Sequence, residues 1–185
     1  MTRAKWAVLL RIALVLLLGD WLWAGGAAAD APHPPSEPQV KVAYLYNFTK
    51  FVTYPEAVFL GDRNRFNICV LGENPFGDLL NFLAGKSVQE RKIQVHLHTR
   101  LEETSGCHLV FIAPSEAEKW VDIMAWFGER PVLLVGDTPG FAQRGGMINF
   151  IRVGDTLRFE INLKMANRCG LKISSSMLQI GRVVE

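Results

Sequence analysis

Residues 108–135, HLVFIAPSEAEKWVDIMAWFGERPVLLV, decide the fold of this protein. Two continuous apolar runs, 108–113 (HLVFIA) and 132–135 (VLLV), are typical of strands that are buried on both faces of a sheet. Between these runs, apolar residues recur at the i, i+3, i+4 and i+7 spacing of one helix face: Ala117, Trp120, Val121 and Met124. We expect Ser115 to cap this helix and Pro131 to stop it. A strand, a crossover helix and a second buried strand predict parallel pairing.

The chain before this unit alternates in the same way. From Val40 onward a helical pattern runs until Pro55 stops it, with one apolar face: Tyr44, Leu45, Phe48, Phe51 and Val52. Residues 66–71 (FNICVL) predict another buried strand, and residues 76–83 predict a short helix. Residues 92–99 (KIQVHLHT) alternate strictly, which predicts a strand with a single apolar face: Ile93, Val95 and Leu97.

The chain after this unit has a different order of elements, with two consecutive strands followed by two helices. Residues 147–152 and 157–162 predict two strands, and the four residues between them are few enough for an antiparallel hairpin. Helical patterns follow at residues 164–169 and from Ser175, with Gly170 as a stop between them. The sequence therefore predicts a three-layer α/β fold: a mixed, mainly parallel sheet, helices on both faces and a C-terminal antiparallel hairpin.

Residues 1–29 carry the features of a cleavable secretory signal peptide in their usual order. Basic residues come first, then the apolar stretch 12–18, then small residues up to Ala29. The apolar stretch is well short of the roughly 20 residues of a membrane span. We therefore predict a signal peptide over 1–29, a Pro-rich tether over 30–39, and a single domain over 40–185 that works in the periplasm.

The predicted export changes the charge balance. The whole chain has 20 basic and 18 acidic residues, a net charge of +2. The signal peptide holds three of the basic residues and one of the acidic ones, so 17 of each remain in the exported chain. A balanced charge lacks the basic footprint of a nucleic-acid-binding protein. We expect no nucleic-acid partner.

Three cysteines would enter an oxidising compartment, where one pair can form a disulfide. Cys69 lies within one predicted buried strand, and Cys107 directly precedes the strand that we expect beside it or nearly so. A Cys69–Cys107 disulfide is therefore geometrically reasonable. We interpret Cys169 as a small buried residue rather than as a reactive thiol.

The sequence offers weak candidates for chemistry. Residues 72–77 (GENPFG) have the glycine spacing of a phosphate loop but lack the Lys and Ser or Thr that must follow, which favours a plain turn. His96 and His98 project from one side of a strand, yet no third metal ligand follows at a fixed spacing, so we expect an exposed polar face. Motifs of hydrolases are also missing. We predict no catalytic residues, cofactor or metal, and no enzyme.

Polar residues follow the predicted strands at the edge where ligands bind in parallel sheets. Four of them lie in loops at this edge, and one lies in the hairpin: Asn74, Asp137, Thr138, Gly140 and Arg152. They form a candidate ligand or partner edge. The same residue types also occur in turns for backbone reasons alone.

Five segments together resemble the YfiR family of periplasmic regulators. They cover nearly the whole predicted domain, in order: 41–55 (KVAYLYNFTKFVTYP), 66–77 (FNICVLGENPFG), 107–113 (CHLVFIA), 131–150 (PVLLVGDTPGFAQRGGMINF) and 157–181 (LRFEINLKMANRCGLKISSSMLQIG). Each segment alone is also a plausible core element, whereas five in sequence behind an export signal are specific. The chain departs from the family at Tyr54, where a Trp is expected before Pro55.

The resemblance implies a regulatory protein that binds and represses the periplasmic part of an inner-membrane signalling enzyme, a diguanylate cyclase, and so lowers cyclic-di-GMP. It also implies a homodimer, sequestration by an outer-membrane lipoprotein, and a disulfide between cysteines placed like Cys69 and Cys107. The alternative is a periplasmic small-ligand-binding or sensing protein with a pocket at the carboxyl ends of the strands.

Overall fold

The computed structural model of the protein describes residues 34–184. The predicted signal peptide lies outside the described residues. The helices are α1 Glu37–Phe51, α2 Trp120–Phe127, α3 Leu163–Arg168 and α4 Ser175–Ile180. The strands are β1 Val52–Thr53, β2 Arg65–Leu71, β3 Ser87–Val88, β4 Arg91–His98, β5 Leu109–Ile112, β6 Leu133–Gly136, β7 Ile148–Val153, β8 Thr156–Asn162, β9 Lys172–Ile173 and β10 Arg182–Val184. Short 3-10 helices span Glu56–Phe59, Gly77–Phe82, Leu101–Gly106 and Pro114–Lys119.

The main sheet has eight strands in the order β10-β8-β7-β6-β5-β2-β4-β3. Its centre is a parallel run, β7-β6-β5-β2-β4, in which the strand order reverses between β2 and β5. This is the 2-1-3-4-5 order of a doubly wound sheet. Strands β7 and β8 form the predicted antiparallel hairpin, and β10 adds a parallel strand beyond it.

Two hydrophobic clusters cover the two faces of the sheet. Phe66, Ile68 and Val70 of β2 belong to the larger cluster, which includes the buried apolar residues of α1. The intervening Cys69 and Leu71 belong to the smaller cluster, which includes the buried residues of α2. Because successive strand residues point to opposite faces, the helices lie on both sides. The three-layer α/β prediction is confirmed.

Helix α1 begins three residues earlier than the helical pattern predicts. The backbone N–H of Ser36 donates to Oε1 of Gln39 at 2.7 Å, as in a capping box, and Pro38 fits the first turn. Residues 37–39 are therefore helix and not tether. The buried face also differs: Thr49 is fully buried, whereas Phe51, predicted on the apolar face, is 40% exposed.

Strand β4 does not have the fully covered apolar face that its alternation predicts. Ile93 is 1% exposed, but Leu97 on the same face is 57% exposed. Strand β4 is next to the edge of the sheet, and β3 pairs only with Arg91 and Lys92. The far half of β4 therefore borders solvent, which alternation alone does not reveal.

The helix predicted between the two buried runs begins as a 3-10 helix and becomes an α-helix only at Trp120. Ser115 is not its N-cap. The Ser115 Oγ instead accepts a hydrogen bond from the backbone N–H of Glu73 at 2.9 Å. Ser115 thus ties the β5 end to the loop after β2.

A Cys69–Cys107 disulfide joins β2 to the loop before β5, with a Cα–Cα distance of 6.0 Å and a sequence separation of 38. Closing a loop of this length contributes about 4 kcal/mol in the chain-entropy account. Cys169 is 3% exposed and unbonded, and it packs in the larger hydrophobic cluster, as predicted. Burial raises the pKa of its thiol.

Within residues 34–184, every helix is too short or too polar to span a bilayer.

Candidate binding site at the carboxyl end of strand β6

Asp137 directly follows β6 and is held there by helix α1. The Lys41 Nζ donates to Asp137 Oδ2 at 2.8 Å, although the two residues are 96 positions apart. Their side chains are only 13% and 12% exposed. Burial by itself lowers the pKa of Lys41, but hydrogen bonds to Asp137 and Glu37 outweigh it and raise that pKa. The ammonium is therefore fixed in its charged form.

Glu37 links this pair to the β7–β8 hairpin. Its Oε1 lies 2.7 Å from Lys41 Nζ, one turn along α1, and its Oε2 accepts from Nη1 of Arg152 on β7 at 2.7 Å. The hydrogen bond from Lys41, together with both positive charges, lowers the pKa of Glu37 against the opposing effect of burial. Two carboxylates and two cations thus alternate across α1, β6 and β7.

Glu160 forms a second charged network on β8. Its Oε2 accepts from Asn149 Nδ2 at 3.3 Å and from Gln143 Nε2 at 3.2 Å, and its Oε1 accepts from the Arg182 guanidinium. Glu160 is 2% exposed. Burial acts to raise its pKa, but the hydrogen bonds from Arg182, Asn149 and Gln143 outweigh burial and lower it.

A cavity of about 530 Å³ lies between these two networks. Its lining residues come from α1, the loop after β6, the hairpin and β10: Glu37, Lys41, Asp137, Pro139, Gly140, Gln143, Asn149, Phe150, Ile151, Arg152, Leu157, Glu160 and Arg182. Oδ1 of Asp137 and Oδ1 of Asn149 are buried and have no hydrogen-bond partner within the described residues. Buried acceptors are almost always satisfied in proteins. Because neither oxygen is exposed to solvent, both are enclosed by the protein and do not face the open space of the cavity.

The chemistry of the cavity favours binding over catalysis. Hydrogen bonds to cations hold Glu37 and Glu160 in their ionised form. Lys41 is held protonated, and a general base needs a pKa near the operating pH. Among the residues that line this cavity, we find no nucleophile beside a base.

The structure brings together three of the five residues of the candidate edge. Asp137, Gly140 and Arg152 all line the cavity. Thr138 does not: its carbonyl accepts from the backbone N–H of Phe141 in the turn after β6. Asn74 lies beyond β2 and makes turn contacts, accepting from the Phe76 N–H at 3.0 Å and donating to the Gly77 carbonyl at 3.1 Å.

Sequence reasoning missed the residues that pair with this edge. Glu37 and Lys41 have the i, i+4 spacing of a helical ion pair, and this spacing could have indicated the pair from the sequence. Glu160 is a lone acid in the apolar run of β8, and buried acids are almost never left unpaired. Apart from the Glu37–Lys41 pair, the oppositely charged partners of these groups are 22 to 115 positions away, so only the fold reveals them.

The ends of β2 and β5, where the strand order reverses, are filled by the chain itself. Gly72 follows β2 with a φ of +97°, and a Cβ there would lie 2.5 Å from Ser115 Oγ and 2.7 Å from Glu116 Cγ. Glu116 is 7% exposed. Ligands usually bind at this reversal point in doubly wound sheets. Here the 3-10 helix Pro114–Lys119 closes it.

His108 is a core residue and not the partner of a thiolate. Its Nδ1 accepts from the backbone N–H of Asn67 at 2.9 Å, and its ring stacks on Phe59 and Phe66 at 4.9 and 5.1 Å. Burial and the nearby Arg91 lower its pKa to about 4, so the imidazole is neutral. The neighbouring Cys107 is in the disulfide.

Solved structures of similar fold include two from bacteria. One is described as an ABC domain in complex with L-Trp from Streptococcus pneumonia, with a TM-score of 0.52 and 12% identity over 80% of this chain and 62% of that one. The other is a conserved domain protein from Vibrio cholerae, with a TM-score of 0.54 and 12% identity over 81% of this chain and 60% of that one. This chain thus spans about three fifths of their length, and the similarity shows the fold alone.

Sequence comparison defines the family. No curated protein matches the chain. Residues 38–182 match the YfiR/HmsC-like family. This range includes the main sheet up to the first residue of β10 and every residue that lines the cavity except Glu37. This span includes all five segments on which the resemblance rests. The chain belongs to the YfiR/HmsC-like family.

Proposed function

We propose that this protein binds the periplasmic region of an inner-membrane diguanylate cyclase and represses it, so that cyclic-di-GMP falls. The observation that carries the proposal is the family match over residues 38–182. The signal-peptide features of residues 1–29 support the periplasm as the compartment. A homodimer and sequestration by an outer-membrane lipoprotein belong to the same proposal.

The charged groups of the cavity are consistent with a regulator rather than an enzyme. Its cations are paired with carboxylates at 2.7 to 2.8 Å around Glu37 and Asp137. Such a network fixes α1 against the sheet, and it offers no free base or nucleophile for chemistry. A rigid domain with a formed surface suits specific binding of another protein.

The compartment dictates how such a regulator acts. An exported domain is separated by the inner membrane from cytoplasmic GTP and cyclic-di-GMP. Any effect on the cytoplasmic signal must therefore pass through a protein that crosses the membrane, and repression requires differential binding to one state of that protein.

Co-purification tests the physical interaction. The full chain is expressed with a membrane-bound diguanylate cyclase of its own organism that has a periplasmic region, the cyclase carries an affinity tag, and detergent-solubilised membranes are fractionated. We expect the chain to elute with the cyclase. A matched chain without residues 1–29 stays in the cytoplasm and should not elute with it. Absence of the full chain from the eluate, or equal recovery of both chains, would argue against the proposal.

The cavity supports a second candidate, a periplasmic binder of a small molecule. The specific observation is the open cavity of about 530 Å³, whose lining includes the cations Arg152 and Arg182. Native mass spectrometry of the chain purified from the periplasm should then show a bound small molecule. Asn149→Leu removes a polar side chain from the lining of the cavity and should abolish that mass. A wild-type chain of unliganded mass would reject this candidate.

A further inference from the structure

Strands β2 and β4 bring histidine and cysteine side chains to one face of the sheet. In the parallel register Cys69 lies opposite His96, and Leu71 lies opposite His98. Register partners point to the same face, and Cys69 and Leu71 both belong to the smaller hydrophobic cluster. His96 and His98 therefore share the α2 side of the sheet with the disulfide.

His98 lies beside both sulfurs of the disulfide. One ring nitrogen of His98 and the Sγ atoms of Cys69 and Cys107 all lie within 4.8 Å of one another. Two thiolates and an imidazole are the ligands of zinc sites with an open fourth position. The three ligands are therefore His98 on β4, Cys69 on β2 and Cys107 in the loop before β5.

We propose that reduction of the Cys69–Cys107 disulfide by a dithiol creates a Zn²⁺ site of two thiolates and His98. In the first step the dithiol passes two electrons and two protons to the disulfide, which gives two protein thiols and the oxidised cyclic dithiol. In the second step Zn²⁺ binds both sulfurs and the neutral imidazole, and the two thiol protons are released. In the oxidised chain the same sulfurs are bonded to each other and are not thiolates.

The surroundings of the cluster suit a metal ligand set. Cys69 and Cys107 are 0% and 5% exposed, and the side chain of His98 is 20% exposed. Oε2 of Glu103 lies 3.6 Å from Nδ1 of His98, so a small side-chain rotation would give the carboxylate–imidazole hydrogen bond that orients many metal-binding histidines. Tetrahedral Zn–S bonds need the sulfurs about 3.8 Å apart. Side-chain rotation can provide this while the Cα atoms stay near their 6.0 Å separation.

A reductant has a route to one end of the cluster. Cys107 borders an open cavity of about 330 Å³, together with Gly106, His108 and Val132. The free Cys169 packs in the hydrophobic cluster on the opposite face of the sheet. The structure therefore separates Cys169 from the site, which makes it a matched control.

Thiol labelling establishes the starting state. The full chain, denatured without reduction, should take up one equivalent of maleimide, at Cys169. After treatment with dithiothreitol it should take up three. Three equivalents without reduction would contradict the disulfide and remove the basis of a redox-dependent site.

Cobalt titration then tests the site itself. The full chain is reduced with dithiothreitol and desalted without air, and Co²⁺ is added. We expect one Co²⁺ per chain, with the visible bands of a tetrahedral ion and a thiolate charge-transfer band, and displacement of Co²⁺ by one equivalent of Zn²⁺. The oxidised chain should show neither band.

Variants assign the ligands. His98→Gln should weaken Zn²⁺ binding at least tenfold, because losing even a group that only orients a zinc ligand lowers metal affinity by about this factor. Cys169→Ser should leave binding unchanged. Circular dichroism of the oxidised variants checks that each is folded. Absence of stoichiometric binding to the reduced chain, whether that chain is folded or not, or unchanged affinity in His98→Gln, would overturn the proposal.

Discussion

Two places at the carboxyl edge of the parallel strands differ in what fills them. At the end of β6, charged side chains from α1, β7 and β8 surround a cavity of about 530 Å³. At the ends of β2 and β5, Ser115 and Glu116 pack against Gly72 and leave no room even for a methyl group on that residue. The strand order places the usual ligand crevice at the second place. In this protein the open cavity lies instead at the end of β6.

The topology of the sheet fixes where a crevice can form, and local residues decide whether it stays open. A single glycine with positive φ allows the 3-10 helix after β5 to approach β2 closely. After β6, by contrast, the antiparallel return of β8 places Glu160 beside Asn149. Side chains with charges then meet across the gap and hold it open.

The largest expected effect is at the closed place. Gly72→Ala adds a Cβ that lies 2.5 Å from Ser115 Oγ, at a φ of +97°. We expect a loss of about 3 kcal/mol in the free energy of unfolding, from the clash and the backbone strain together. Urea denaturation measures it. The matched control is Gly77→Ala, which has φ +53° but no atom within 4 Å, and which should lose only about 1 kcal/mol. Equal losses would show that close packing is not what closes this place.

An intermediate effect is expected at the open place. Lys41→Met leaves the carboxylate of Asp137 mostly buried and without its cation. We expect a loss of about 2 kcal/mol in unfolding free energy, since unpaired buried charges are costly. Lys164→Met, at an exposed position of α3, is the control and should stay within about 0.5 kcal/mol of the wild type. A wild-type stability for Lys41→Met would mean that the Lys41–Asp137 pair does not hold α1 on the sheet.

The smallest effect is in the pH dependence at Glu160. Its pKa is lowered in the folded chain, so between its ordinary value of 4.5 and the folded value the unfolded chain binds more protons. The stabilisation is therefore fully present above that ordinary value and is lost as the pH falls through the folded pKa. Glu160→Gln cannot titrate and should flatten this part of the stability curve, measured by urea denaturation at stepped pH. An unchanged slope would place the acid sensitivity elsewhere.

Much of the fold was predictable because its strands are long enough to carry a pattern. The buried runs of β2, β5 and β6 and the β7–β8 hairpin all lie within about two residues of the predicted bounds. The strands that were missed, β1, β3, β9 and β10, have only two or three residues each. Two residues cannot show a period of two, and such strands form only because the rest of the fold brings a partner alongside.

The candidate site was predictable only in part, for a related reason. Asp137, Gly140 and Arg152 follow from their places after β6 and on the hairpin, because the ends of strands are local features. Lys41 comes from a helix at the other end of the chain, and Arg182 from a strand that was not predicted. The cluster of Cys69, Cys107 and His98 was likewise not predictable from local features of the sequence. The register of β2 with β4 puts His98 near Cys69, and no spacing along the sequence encodes that register.

The proposed repression of a diguanylate cyclase across the membrane is tested by the intracellular concentration of cyclic-di-GMP. The gene for this chain is deleted in a strain of its own organism that expresses a membrane-bound diguanylate cyclase with a periplasmic region, and it is then restored with or without the codons for residues 1–29. If the exported chain represses the cyclase, cyclic-di-GMP rises on deletion, returns to its original level with the full chain, and stays high with the chain that is not exported. An unchanged concentration on deletion, or equal rescue by both chains, would contradict it.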